Sequence, residues 1–142
     1  MFYPKDFLSF AKEILNCKHL TKNEALFRSI ISRVYYSAFL SAREKIDEVN
    51  PNILDHSKHD MHTQVANVLL NNSHFFIQDP SLSSDLVELH TYRVDADYHF
   101  QKALNVRYEQ RIEGRKSPDL LITAEDCWKL SNNIIGRVGF LK

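Results

Sequence analysis

From Thr21 to Asn50 the chain reads TKNEALFRSIISRVYYSAFLSAREKIDEVN, with neither glycine nor proline. Phe27, Ile31, Val34, Tyr35, Ala38, Ala42, Ile46 and Val49 recur at a spacing of about 3.6 residues, so they share one face of a long α-helix. A helix running to about Glu48 must bury that face against other elements. Asn50-Pro51-Asn52 ends it, because the residue before a proline is steered away from helical backbone angles.

The rest of the chain follows the same period. Pro4 suits a first helical turn, and FLSFAKEIL continues it. TKNE (Thr21 to Glu24), SKHD (Ser57 to Asp60) and TAED (Thr123 to Asp126) are capping-box patterns, predicted to open the second, third and last helices. The third helix carries Val65, Val68 and Leu69 and stops at Asn71-Asn72-Ser73. The fourth starts at Asp79-Pro80 or a nearby serine, with Leu82, Leu86, Leu89, Ala96, Phe100 and Ala103 as its stripe. Gly114, Ser117 and Pro118 mark a loop before the last helix, which carries Cys127, Trp128, Ile134, Ile135 and Val138. Only three glycines and four prolines interrupt 142 residues, and no strand pattern competes. The expectation is an all-α fold, one bundle of about five helices spanning residues 1–142.

Charge narrows the function classes. Eighteen basic residues balance 18 acidic ones, so no overall field gathers nucleic acid and any such contact needs a local patch. Arg93, Lys102, Arg107, Arg111, Arg115 and Lys116 offer a mild one, although such a run is most often a solvated helix face. Cys17 and Cys127 have no paired spacing, which points to buried thiols in a reducing compartment. No signal peptide or membrane span is read, so a cytoplasmic protein is expected. No Gly-rich phosphate loop, C-x-x-C, H-E-x-x-H or nucleophile elbow occurs. His56, His59 and His62 recur every third position, but on a regular helix the third has turned about 120° from the first, so they cannot converge on one metal ion. They are read as lining a helix start at the surface.

The chemistry concentrates in LHTYRVDADYHF, residues 89–100. Leu86, Leu89, Ala96 and Phe100 fall within about 60° of Arg93, which therefore sits in the apolar seam. A guanidinium there needs a carboxylate, and Asp97, at i+4, is the nearest. Tyr92, Asp95 and His99 share another face and read as a polar outer side, where Asp95 can orient the His99 ring. On the long helix, Tyr35 is expected in the core with its hydroxyl partnered, while Tyr36 and Arg33 lie on the other side, available to an interface or groove.

Taken together, S-R-V-Y-Y-S-A-F-L-S-A-R (Ser32 to Arg43), a histidine segment at His59 or His62, and R-V-D-A-D-Y (Arg93 to Tyr98) resemble the HEPN family of small helical bundles. Thr123 and Glu125 match the start of that family's last helix, with Cys127 where alanine is usual. The likeness covers nearly the whole chain. It implies a homodimer whose paired fourth helices form a composite site, with Arg93 and His99 catalytic and Asp95 orienting. The implied reaction is metal-independent RNA cleavage without a cofactor. The ribose 2′-OH attacks its own phosphorus while His99 moves the proton and Arg93 stabilises the phosphoryl oxygens. Tyr92 and Tyr98 would stack bases, and a toxin or phage-defence role with an antitoxin partner would follow. The alternative is a non-catalytic HEPN module that binds a nucleotide or a partner such as a nucleotidyltransferase.

Overall fold

A computed structural model describes residues 3–17, 23–71, 75, 78–98 and 120–142, with only the backbone of 120–122. The described residues form an all-α bundle of five helices: α1 (Pro4–Asn16), α2 (Glu24–Val49), α3 (Met61–Leu70), α4 (Ser81–Tyr98) and α5 (Leu120–Val138). No strand occurs among them. The long helix read from the sequence is the axis of the bundle. α2 touches each of the other four helices, α5 contacts both α1 and α4 beside it, and α3 lies against α4.

That position explains why α2 buries more than one stripe. Ile31, Val34, Ala38, Ala42 and Ile46 are fully enclosed, and Ile30, Ser37 and Phe39 on neighbouring faces are buried too. Serines let the backbones approach where α2 meets its neighbours. Ser37 Oγ donates to Pro4 O at 2.5 Å and Ser131 Oγ donates to Val34 O at 2.6 Å, so each buried hydroxyl is satisfied across a helix pair. Leu8, Ala11 and Leu15 of α1 and Ala124, Cys127, Ile134 and Val138 of α5 complete the core on that side.

Helix boundaries corrected all three capping-box readings. At α2 the cap is Asn23, whose Oδ1 accepts from Leu26 N at 2.9 Å, and Thr21 lies outside the described residues. Glu24 is then the first helical residue, and its carboxylate meets Arg28 Nε at 2.8 Å. At α3, Ser57 turns back onto Asp55, with Ser57 N 3.1 Å and Ser57 Oγ 2.5 Å from Asp55 Oδ1, so the helix starts later, after Asp60. Gln64 organises that loop by donating to Asp60 Oδ1 at 2.8 Å and Asp55 O at 3.1 Å. At α5 the helix is already under way at Leu120, and Thr123 is a buried interior residue, 2% exposed. A short polar residue three before an acid also arises inside helices, and there the apolar seam outweighs it.

Candidate functional site

The site gathers where the middle of α2, the first turn of α3 and the second half of α4 meet. Tyr35 and Tyr36 are adjacent on α2, and a 100° step per residue sends them to different neighbours. Tyr35 is 1% exposed and packs on Phe39, ring centroids 5.9 Å apart. Its hydroxyl lies 2.5 Å from His62 Nδ1 of α3, which satisfies the buried phenol as the sequence required. His90 of α4 closes the group, with its ring 5.2 Å from both Tyr35 and His62. Phe39 backs His62 at 4.3 Å.

Between α3 and α4 this cluster opens into a cleft of about 260 Å³, lined by Tyr35, His62, Ala66, Asn67, Leu86 and His90 among others. Its electrostatics follow from partial burial beside a guanidinium. Burial, then His90, then the charge of Arg93 push His62 down to about 4. Burial and Arg93 lower His90 as well. Burial holds the Tyr35 hydroxyl well above the ordinary phenol range, against an opposing pull from Arg93. Near neutral pH both imidazoles are therefore uncharged and Tyr35 keeps its proton.

Arg93 lies one turn beyond His90. Its Nε is 2.8 Å from Asp97 Oδ2, a charge contact rather than an aligned hydrogen bond, so the expected i+4 pair is present. Ser32 Oγ donates to the same carboxylate oxygen at 3.1 Å. Arg93 Nη2 donates to Tyr36 Oη at 2.9 Å. The guanidinium carbon sits 5.1 Å from the Tyr36 ring centre and 5.3 Å from that of Tyr98, within cation–π range of both. Tyr98 is 65% exposed.

Tyr92 and Asp95 depart from expectation. The polar outer face assigned to them is buried: Tyr92 is 5% and Asp95 1% exposed. The reason is that α4 is covered by α2 and α5 as well as α3. Arg28 of α2 reaches this side and donates to the carbonyls of Asp95 at 3.0 Å and Ala96 at 3.2 Å. Tyr92 is therefore a core residue and not a stacking platform. His99, Phe100, Ala103 and the basic run from Lys102 to Lys116 lie outside the described residues.

Sequence reasoning assigns no role to His90 and names His62 only as one of two choices for the histidine segment of the HEPN resemblance. His62 was grouped with His56 and His59, yet His59 is exposed and His56 pairs with Asp47 at 3.0 Å, while His62 alone turns inward. The available signal was position: His62 is the second residue of α3, and His90 precedes Arg93 by three on α4. Among the described residues no group of three or more potential ligands is placed to hold a metal ion, and no helix is long and apolar enough to cross a membrane. Comparison with known protein families, curated proteins and solved structures returned no match.

Proposed function

We propose that this protein is a HEPN-type helical module that binds RNA at the C-terminal half of α4. The observation that carries this reading is the setting of Arg93, a guanidinium with a single carboxylate neighbour among the described residues, flanked by two tyrosine rings of which one is open to solvent. Arginine donates paired hydrogen bonds to phosphate, and an exposed aromatic ring stacks a single-stranded base. Partial burial strengthens such a contact relative to a surface lysine. Fluorescence anisotropy with a labelled single-stranded RNA tests it. Wild type should bind with an affinity that falls as salt rises, and Arg93→Ala should lose the binding while keeping its helical circular dichroism. Equal affinity in the two proteins would remove the reading.

A second reading, cleavage of RNA by a homodimer, draws on Asp95. Its carboxylate is buried on α4, and His99 follows it by four residues in the sequence; a carboxylate hydrogen-bonded to a histidine is suited to fix an imidazole tautomer. In that reaction the 2′-oxygen attacks phosphorus as His99 takes its proton, the bond from phosphorus to the 5′-oxygen breaks, and the 5′-oxygen takes a proton from water while His99 returns its own to solvent. The products are a 2′,3′-cyclic phosphate and a 5′-hydroxyl, and Arg93 stabilises the charged phosphoryl oxygens. RNA incubated in EDTA separates the two readings. Cleavage by wild type that disappears in His99→Ala supports the enzyme; binding without cleavage leaves the module.

A further inference from the structure

We infer that the cleft between α3 and α4 takes the base of the RNA nucleotide whose phosphate meets Arg93, and that His62 reads this base as a hydrogen-bond donor because Tyr35 fixes its tautomer. The inference rests on the RNA reading above and names what the site selects.

The tautomer follows from local chemistry. Tyr35 is 1% exposed, so its hydroxyl proton must find an acceptor, and His62 Nδ1 lies 2.5 Å away. A phenol held above its ordinary range keeps its proton, and an imidazole held at about 4 does not take it. Tyr35 therefore donates, Nδ1 accepts, and the ring proton of neutral His62 resides on Nε2. His62 lines the cleft and Tyr35 occupies its Nδ1, so the Nε2–H is the donor this ring can offer a guest there. Neutral His62 thus presents a fixed donor, suited to a ring nitrogen or carbonyl oxygen of a base.

The shape agrees with a planar guest. The half-buried His62 and His90 rings line the cleft, the buried Tyr35 closes its floor, and Leu86 and Ala66 supply apolar wall. Asn67 on the rim adds an amide that donates and accepts. Arg93 follows His90 by three residues on α4, an axial rise of about 4.5 Å, which is on the scale of the separation between a nucleotide's base and its phosphate. Arg93 is not itself part of the cleft lining; it stands next to it through His90, and its charge is felt at both histidines.

Long-range proton–nitrogen NMR of the full chain, labelled with nitrogen-15, tests this directly. Unliganded wild type should show His62 with a bare Nδ1 and a protonated Nε2. Tyr35→Phe, which removes only the hydroxyl, should shift His62 toward a tautomer mixture. Titration with adenosine, guanosine, cytidine and uridine 5′-monophosphates should then move the His62 and His90 ring signals for at least one nucleotide. Tyr35→Phe should weaken that binding by about threefold to tenfold, the range of one neutral hydrogen bond. A wild-type His62 protonated on Nδ1 overturns the inference whatever binds. Ring signals that stay still while RNA binds overturn the base pocket and leave the RNA reading intact. Absence of both RNA and nucleotide binding removes both.

Discussion

Each end of α4 is held by an arginine, and the two are built differently. At the N-terminal end Arg137 of α5 uses every nitrogen. Its Nε and Nη2 grip Asp79 at 2.8 and 2.9 Å, and Nη1 reaches Asp85 at 2.5 Å and Asn133 at 2.9 Å. Nη2 also donates to Ser81 Oγ. At the other end Arg93 has, among the described residues, one carboxylate, one tyrosine hydroxyl and two tyrosine rings. A guanidinium saturated by two carboxylates is a staple, because an incoming anion would have to displace both. One that faces a single described carboxylate and lies between two rings is pre-positioned yet keeps more positive potential for a phosphate.

The sharpest way to break this contrast is to truncate each arginine in turn. Arg93→Ala should weaken RNA binding by roughly tenfold to a hundredfold, since a charge-assisted hydrogen bond contributes about 1.5–3 kcal/mol. Arg137→Ala should leave that affinity unchanged. It should instead lower the stability read from urea unfolding by about 2 kcal/mol, below the cost for a fully buried pair because these groups remain about a quarter exposed. If Arg137→Ala abolished RNA binding while stability held, the contrast would be inverted.

Smaller effects sharpen it. Tyr98→Ala should reduce RNA affinity by about 1 kcal/mol, the low end for base stacking, because the ring is 65% exposed. Tyr36→Phe removes the hydroxyl that receives Arg93 and keeps the ring, so a loss of about 0.5–1 kcal/mol in affinity or stability is expected. Acid should loosen the two ends in different windows. His62 sits at about 4 in the fold against an ordinary 6.5, so the unfolded chain binds the proton first. That contribution to stability declines as pH falls through 6.5 and levels off near 4. Asp79, held at about 2 by Arg137, loses its contribution only as pH falls from about 4 toward 2. Urea midpoints measured from pH 7 to 2 should show both windows, and His62→Asn should shrink the first, leaving the share that His90 contributes, without moving the second.

Much of this architecture was legible in the sequence. Apolar periodicity exposed the faces of α2, α3 and α4, and the seam position of Arg93 led to its pairing with Asp97. Each of those statements concerns residues within a helical turn or two. Tyr92 and Asp95 are buried against the single-stripe reading of α4 because three helices cover it. The capping boxes misled for a related reason. A four-residue pattern carries about 1 kcal/mol, and the packing of residues such as Thr123 and Ala124 against the core outweighs it.

By itself, then, the sequence determined that this chain makes long amphipathic helices, which residues of α2 lie in the core, and that the buried Tyr35 hydroxyl needs a partner. Only the tertiary structure decided what that partner is. Tyr35 and His62 are 27 residues apart, and Tyr36 and Arg93 are 57 apart. Helical geometry fixes neighbours at three and four residues and is silent beyond. How α3 and α4 dock on α2 is set by the fit of whole faces, and that fit places two histidines beside one arginine.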